Sequence, residues 1–295
     1  MKLSDKLKDM RKEAGLSQER LAEKLNVSRQ AVTKWENGTG LPDIDNIVAI
    51  SQLFGISTDE LLSANGKTSC TDVYRYKSIT EYDIGENKHY DIDLPDASEV
   101  SVCGYDGEKV RIILLSDTIP DIERLLKVKI DDIRKRIDIV INKNEELTRA
   151  QCREGLVIQI LIPAHYEGWL EIRADAKTIE LSNITCDDVE LGGRINSMHI
   201  LDVTGHVELD MDTDVQVELS RFSGKLDINQ HGGISRLIIP DDFLFEVKKK
   251  GLATKVFFKE DGKSIDRFDA VGSDNIIEFN GIRSELLIEK CELHR

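Results

Sequence analysis

The stretch SRQAVTKWENG, from Ser28 to Gly38, places long hydrogen-bonding side chains at helical spacing. At about 100° per residue, one side of such a helix is polar. The residues on that side are Arg29, Gln30, Thr33, Lys34 and Asn37. Arginine can form two hydrogen bonds with guanine, glutamine can bridge adenine, and lysine can reach guanine or a phosphate. A solvated surface helix would have the same polarity, so the pattern alone leaves both interpretations open.

The opposite side of this helix is apolar and needs a packing partner. Its apolar residues are Val27, Ala31, Val32 and Trp35. The preceding stretch has its own apolar stripe, formed by Leu21, Ala22 and Leu25. Because only Asn26 and Val27 separate the two stretches, the sequence predicts two helices joined by a tight helix-turn-helix connection.

Helix start and stop signals recur through the first 65 residues, which we call the head. An apolar residue followed by serine, typical of a capped helix start, occurs at Leu16-Ser17, Val27-Ser28 and Ile56-Ser57. Pro42-Asp43 starts a further helix, and glycines stand at three of the expected helix ends. We therefore predict five short helices in residues 1–65.

Residues 3–65 resemble the helix-turn-helix domain of the phage-repressor (Cro/repressor-like, XRE) family. The segments LSQ, VSRQAVTKWENG and LPDIDN carry this resemblance and stand in the register of that family. It implies base contacts in the major groove from Arg29, Gln30, Thr33 and Lys34. It also implies phosphate contacts from Gln18, Ser28 and Asn37, and a structural ion pair between Arg11 and Glu36.

One such domain reads only a short half-site. Specific binding in this fold normally uses dimers on half-sites about 34 Å apart. We therefore expect double-stranded DNA with a palindromic operator as the partner, and a homodimer of this chain. The expected function is sequence-specific transcription regulation in a bacterium.

Charge is distributed unevenly along the chain. The whole sequence has a net charge of −15, which argues against a protein that coats DNA or an anionic membrane. Residues 1–40, however, hold nine Lys/Arg against six Asp/Glu, so this first part of the head has a net charge of +3. No run approaches the roughly 20 apolar residues of a membrane span. The N-terminal MKLSDKLKDM does not resemble a signal peptide, so we expect a cytoplasmic protein without a membrane partner.

The sequence changes character after the head. We place a linker at residues 66–83 and a body at 84–295, where short alternating apolar runs predict β-strands. From residue 168 a repeat appears: inward pairs start at Leu170, Val189, Val207 and Leu226, at steps of 19, 18 and 19 residues. Two short strands per repeat indicate a β-solenoid, whose rungs bury their inward residues against one another.

The body also resembles bacterial adhesin-like β-solenoid domains of unknown function. LPDASEVSVCGYDGEKVRI and the stretch from LVIQILIP to the first rung carry this resemblance. The predicted fold class is therefore multidomain, with a small all-α helix-turn-helix head followed by an all-β, right-handed solenoid-like domain. Oligomerisation, partner binding or sensing of an unknown effector is the expected role of the body.

The sequence of the body gives only weak signals of a catalytic or metal-binding site. Asp210, Asp212 and Asp214 alternate with other residues near a turn, which favours a solvated acidic face over a catalytic or calcium site. The five cysteines and six histidines lack metal-ligand spacing, and we expect reduced thiols. We predict no enzymatic activity, no catalytic residue, no metal and no cofactor. An interaction scaffold is the alternative, and a carbohydrate-active β-helix enzyme is a weaker one.

Overall fold

The computed structural model describes residues 3–13, 16–25, 27–54, 74–85, 88–164, 168–260 and 262–291. The chain divides into two compact units, Met1–Tyr74 and Arg75–His294. The first contains the head, and we call the second the β domain. Among the described residues, no helix is long and apolar enough to cross a membrane.

Four helices are described in the head. They are α1 (Leu3–Glu13), α2 (Gln18–Lys24), α3 (Arg29–Glu36) and α4 (Ile44–Phe54). The predicted fifth helix, which would start at Ser57, lies outside the described residues. The head core consists of the apolar residues Leu7, Leu21, Ala22, Leu25, Val32, Trp35 and Ile50. The apolar side of α3 therefore packs on the stripe of α2, as the sequence predicted.

Side-chain caps fix where α2 and α3 begin. The backbone N–H of Arg20 donates to Ser17 Oγ at 3.1 Å, and that of Ala31 donates to Ser28 Oγ at 3.2 Å. Each cap satisfies one N–H that has no partner inside its helix. At the other end of α3, Gly38 has a φ of +70°, a conformation that glycine adopts without steric cost.

The described part of the β domain holds fifteen strands in one sheet and two short helices. The helices are α5 (Ile122–Leu125) and α6 (Arg149–Gly155). The strands are β1 (Tyr76–Asp83), β2 (His89–Asp93), β3 (Ala97–Tyr105), β4 (Lys109–Ser116), β5 (Leu126–Ile133), β6 (Arg136–Lys143), β7 (Val157–Pro163), β8 (Trp169–Arg173), β9 (Ala176–Gly192), β10 (Ile195–Met211), β11 (Val215–Pro240), β12 (Glu246–Leu252), β13 (Lys255–Glu260), β14 (Lys263–Ile265) and β15 (Ile276–Cys291).

The central strands of this sheet stack in parallel and in register. Val189 of β9 pairs with Val207 of β10, which pairs with Leu226 of β11, and Leu170 of β8 pairs with Val189. All four side chains are buried, and they are the first inward residues of the predicted repeat. The repeat ends after β11, where β15 becomes the next parallel neighbour.

One glycine shows how closely successive repeats approach. Gly224 has a φ of +132°, and a Cβ at this position would lie 2.0 Å from the carbonyl oxygen of Gly205 in the preceding repeat. Such a distance excludes any side chain unless the backbone moves. Glycine is therefore required here both by conformation and by space.

The start of the β domain differs from the sequence prediction. Residues 76–83, assigned above to the linker, form β1, which pairs antiparallel with β4 from Tyr76–Ser116 to Asp83–Lys109. The stretch alternates between half-buried and exposed side chains, with Tyr76 and Tyr82 packed against the core. Its many polar residues hid this alternation, so the predicted domain boundary at residue 84 lay too late.

Candidate DNA-binding surface

The outer face of α3 carries the residues predicted to contact bases. Arg29, Gln30 and Lys34 are exposed, whereas Thr33 is half-buried. Val32 and Trp35, on the other side of the same helix, are 0% and 7% exposed. Burial of that side fixes the rotation of α3, so that its basic and amide side chains point away from the head core.

Thr33 and Gln18 contact each other across α2 and α3. The Thr33 hydroxyl can donate to Gln18 Oε1 at 3.2 Å or to the backbone carbonyl of Arg29 at 2.9 Å. Because the single hydroxyl proton is used inside the head, Thr33 can offer DNA only its acceptor lone pairs and its methyl group. A methyl group suits contact with thymine.

Two predicted phosphate contacts lie at the ends of α3. Ser28 is exposed, and its oxygen accepts the capping hydrogen bond, which leaves the hydroxyl proton available for a phosphate. Asn37 is exposed at the other end, where its backbone N–H donates to the carbonyl of Thr33. Side chains at both positions are suited to bind phosphates, and such contacts fix the register of a helix in the groove.

The predicted ion pair between α1 and α3 is present and buried. Arg11 Nε donates to Glu36 Oε1 at 2.6 Å, and Arg11 Nη2 donates to Glu36 Oε2 at 3.0 Å. The side chains are 12% and 1% exposed. Arg11 Nη1 also donates to the carbonyl of Leu16, so this guanidinium joins α1, the start of α2 and the end of α3.

The charge state of this pair follows from its hydrogen bonds. Burial raises the pKa of the Glu36 carboxyl, but hydrogen bonds from Arg11 and Gln18 outweigh burial, and the pKa lies below its usual value. The hydrogen bond to Glu36 raises the pKa of Arg11. Both groups are therefore charged at neutral pH, as a buried ion pair requires.

Sequence reasoning missed the third member of this network. Gln18 Nε2 donates to Glu36 Oε2 at 2.8 Å, so Gln18 supports the ion pair in addition to its predicted phosphate contact. One N–H of its amide remains for a phosphate. A glutamine at the start of a helix gives no sequence signal for such a contact, because its partner is eighteen residues away.

The described part of the β domain contains polar clusters, but none of them is comparable to the face of α3. His206 lies between two carboxylates, 3.2 Å from Asp188 Oδ1 and 3.1 Å from Asp227 Oδ2, and Asp210 accepts a hydrogen bond from Asn229. Asp210 and Asp212 line an open groove of about 690 Å³. Among the described residues, no group of three His, Cys, Asp or Glu side chains could hold a metal ion.

None of the cysteines that the structure describes forms a disulfide. Cys103 and Cys152 are buried and Cys291 is exposed. Burial raises the pKa of the Cys152 thiol to about 11, so this group is protonated at neutral pH and unsuited to nucleophilic chemistry. Cys70 lies outside the described residues.

Residues 7–61 match the family model described as helix-turn-helix. The transcriptional activator BcrR of Enterococcus faecalis is 46% identical over 63 residues, which cover 21% of this chain and 31% of BcrR. The cryptic phage CTXphi transcriptional repressor RstR of Vibrio cholerae is 32% identical over 89 residues, covering 30% of this chain and 80% of RstR. This chain belongs to the helix-turn-helix family of transcriptional regulators.

The matched part of BcrR is less than a third of that protein, and most of the present chain lies outside the match. Among solved structures, a protein assigned to cell adhesion from Clostridium sporogenes is 14% identical and covers 73% of this chain and 99% of its own, with a TM-score of 0.41. The P22 c2 repressor bound to a synthetic operator is 27% identical and covers 23% of this chain and 98% of its own, with a TM-score of 0.22.

Proposed function

We propose that this chain is a sequence-specific DNA-binding transcriptional regulator that reads the major groove with α3. The observation that carries the proposal is the outer face of α3. It presents Arg29, Gln30 and Lys34 to solvent, and its first turn contains no acidic residue. The opposite face is locked by the head core and by the Arg11–Glu36 pair. A rigid helix with a basic, hydrogen-bonding face is what base recognition requires.

Electrostatics also favour residues 1–40, within the head, as the DNA contact. Outside residues 1–40 the chain holds 31 Lys/Arg against 49 Asp/Glu, which the phosphate backbone repels. Binding should therefore weaken with salt according to the few phosphate contacts of the head. Binding that is indifferent to salt would contradict the proposal.

The test uses the full chain and duplex DNA obtained by in vitro selection from a random pool. We expect Arg29→Ala and Lys34→Ala each to weaken binding to the selected site by about tenfold or more, because each removes a base contact. Lys249→Ala, which removes an exposed lysine of β12, is the matched control and should bind like the wild type. Unchanged binding by both α3 variants, with the fold intact, would refute the groove assignment.

We further propose that the β domain is a solenoid and that it serves oligomerisation, partner binding or sensing. The parallel register of β8, β9, β10 and β11, at the steps of the sequence repeat, supports the solenoid. The proposed protein is a homodimer that binds a palindromic operator in a bacterial cytoplasm. It has no catalytic activity and needs no cofactor. Its partners are DNA and an effector or protein yet to be found.

The alternative is an interaction scaffold in which the β domain is the working part and DNA binding only targets it. Deletion of residues 1–65 distinguishes the regulator from the scaffold. Loss of regulation in cells on deletion supports the regulator, and activity that survives deletion supports the scaffold. The carbohydrate-active enzyme gains no support from the described carboxylates, which are engaged with Arg, His and Asn side chains in many of their contacts.

A further inference from the structure

Strand β1 occupies one edge of the sheet. Among the described strands it pairs only with β4, so no described strand lies along its other side. Exposed edges of this kind invite pairing with another chain. In sequence β1 follows the head, with α4 ending at Phe54 and β1 starting at Tyr76.

Side chains on the exposed face of this edge follow an ordered charge pattern. From Arg75 onward the exposed residues are two basic, one apolar and two acidic: Arg75, Lys77, Ile79, Glu81 and Asp83. Ile79, at the centre of this row, is 52% exposed. An edge protected against association usually carries a charge that a second copy would repel. Here the sign changes along the strand.

This order is complementary to itself when reversed. If two copies of β1 pair antiparallel with Ile79 facing Ile79, each Lys77 faces the partner's Glu81 and each Arg75 faces the partner's Asp83. On the other face Tyr76 meets Tyr82, and Ser78 meets Thr80. Both members of every pair are contributed twice, as in a two-fold interface.

We propose that β1 is the dimerisation surface of this protein and that its partner is β1 of a second copy. This inference rests on the proposed function, which calls for a dimer on two half-sites. The two edges form a continuous sheet across the dimer, and main-chain hydrogen bonds supply affinity while the opposed charges set the register. The order of charges along β1 identifies the partner, because it is complementary to the same strand in the reversed direction.

The neighbouring strand extends the same pattern. Glu81 contacts Arg111 at 2.9 Å and Asp83 contacts Lys109 at 3.4 Å, and Ile79 is paired in register with Ile113. In the dimer, charges therefore alternate in sign across three strands, from β4 and β1 of one copy to β1 of the other, where the row ends because Lys77 is paired with the apolar Leu115 of its own β4. Between the two sets of charges runs an apolar row of four isoleucines, Ile113 and Ile79 of each copy. Such alternation stabilises cross-strand pairs, whereas like charges directly opposite destabilise them.

The test exchanges charges so that each variant repels itself but attracts the other. The acidic-edge variant is Arg75→Asp with Lys77→Glu, and the basic-edge variant is Glu81→Lys with Asp83→Lys. Sedimentation velocity of the full chain, without DNA, gives the oligomeric state of each variant and of their equimolar mixture. Circular dichroism and thermal melting report whether each variant is folded.

We expect the wild type to be a dimer and each variant alone to associate about tenfold more weakly or worse, since four cross-strand pairs become repulsive. The mixture should regain a heterodimer of wild-type affinity, which a folding defect cannot produce. Ile79→Asp should also dissociate the dimer. Ile234→Asp, at a position 48% exposed, is the matched control and should not.

Two results would overturn the proposal: a wild type that stays monomeric at micromolar concentration, or edge variants that remain dimers by themselves. Failure of the proposed function looks different. It would leave association intact while Arg29→Ala and Lys34→Ala bind selected DNA like the wild type. The two failures are therefore measured separately.

Discussion

Removal of the Arg11 guanidinium tests how the head holds its recognition helix. In Arg11→Ala the Glu36 carboxylate loses both hydrogen bonds from arginine and keeps only the one from Gln18. Its side chain is 1% exposed, so water cannot replace the lost donors without movement of the surrounding helices. The variant thus leaves a buried charge without its counter-ion.

The expected cost is about 3 kcal/mol in the free energy of unfolding of the head, at the lower end of the values for breaking a buried pair. Glu36→Gln removes the charge while keeping an acceptor oxygen, and the double variant Arg11→Ala with Glu36→Gln has no uncompensated charge. We therefore expect the double variant to be more stable than Arg11→Ala alone. If Arg11 and Glu36 contributed only contacts, the double variant would lose more of them and would be less stable than Arg11→Ala.

The pH dependence has a defined sign. In the wild type the pKa of Glu36 is lowered, so its stabilising contribution is present above the usual pKa of about 4.3 and is lost as pH falls below it. In Arg11→Ala, burial dominates and raises the folded-state pKa, so the variant gains relative stability as pH falls from neutral. The difference between variant and wild type should thus shrink toward pH 4.5.

Urea unfolding followed by tryptophan fluorescence measures these values. The chain has two tryptophans, Trp35 in the head core and the half-exposed Trp169 in the β domain, so a Trp169→Phe background isolates the head signal. A decrease of less than about 1 kcal/mol in the free energy of unfolding, independent of pH, would refute the reasoning, because a buried unpaired carboxylate destabilises a protein by more than that.

Three further predictions follow from burial, backbone conformation and thiol environment. Leu21→Ala should destabilise the head by about 2–5 kcal/mol in the same unfolding assay, because the side chain is 0% exposed, and a loss below 1 kcal/mol would contradict that packing. Gly224→Ala should lower the melting temperature of the β domain far more than Gly232→Ala, since both have positive φ but only the first Cβ meets backbone atoms; equal shifts would refute the close approach. In the native chain at pH 8, Cys291 should react with a thiol reagent while Cys152, with its pKa raised to about 11, should not until urea unfolds the protein; equal labelling rates would contradict its burial.

Local signals made the head predictable. The caps at Ser17 and Ser28 and the apolar side of α3 lie where the sequence places them, and the Arg11–Glu36 ion pair is the one that the resemblance to the phage-repressor family implies. Each depends on residues close in sequence or on a motif with fixed spacing. The contact between Gln18 and Glu36 was not predictable, because a polar side chain can choose among many partners once the helices have packed.

The β domain was predictable where its repeat is regular. The steps from Leu170 to Leu226 identify side chains that stack in neighbouring strands. The insertion of β15 between β11 and β12 was not predictable, because its pairing residues lie 51 positions away in β11 and 30 positions away in β12, without a repeat. Strand β1 was assigned to the linker because its exposed face is charged, and that same charge pattern supports the dimer proposed above.

The most direct test of the central claim is a repeat of the DNA selection with Arg29→Ala. If α3 reads the major groove, the variant should select the wild-type site with relaxed preference at one base pair in each half-site, while all other positions keep their preference. Symmetry between the half-sites should persist. An unchanged site, or a loss of preference spread evenly over all positions, would contradict base recognition by this helix.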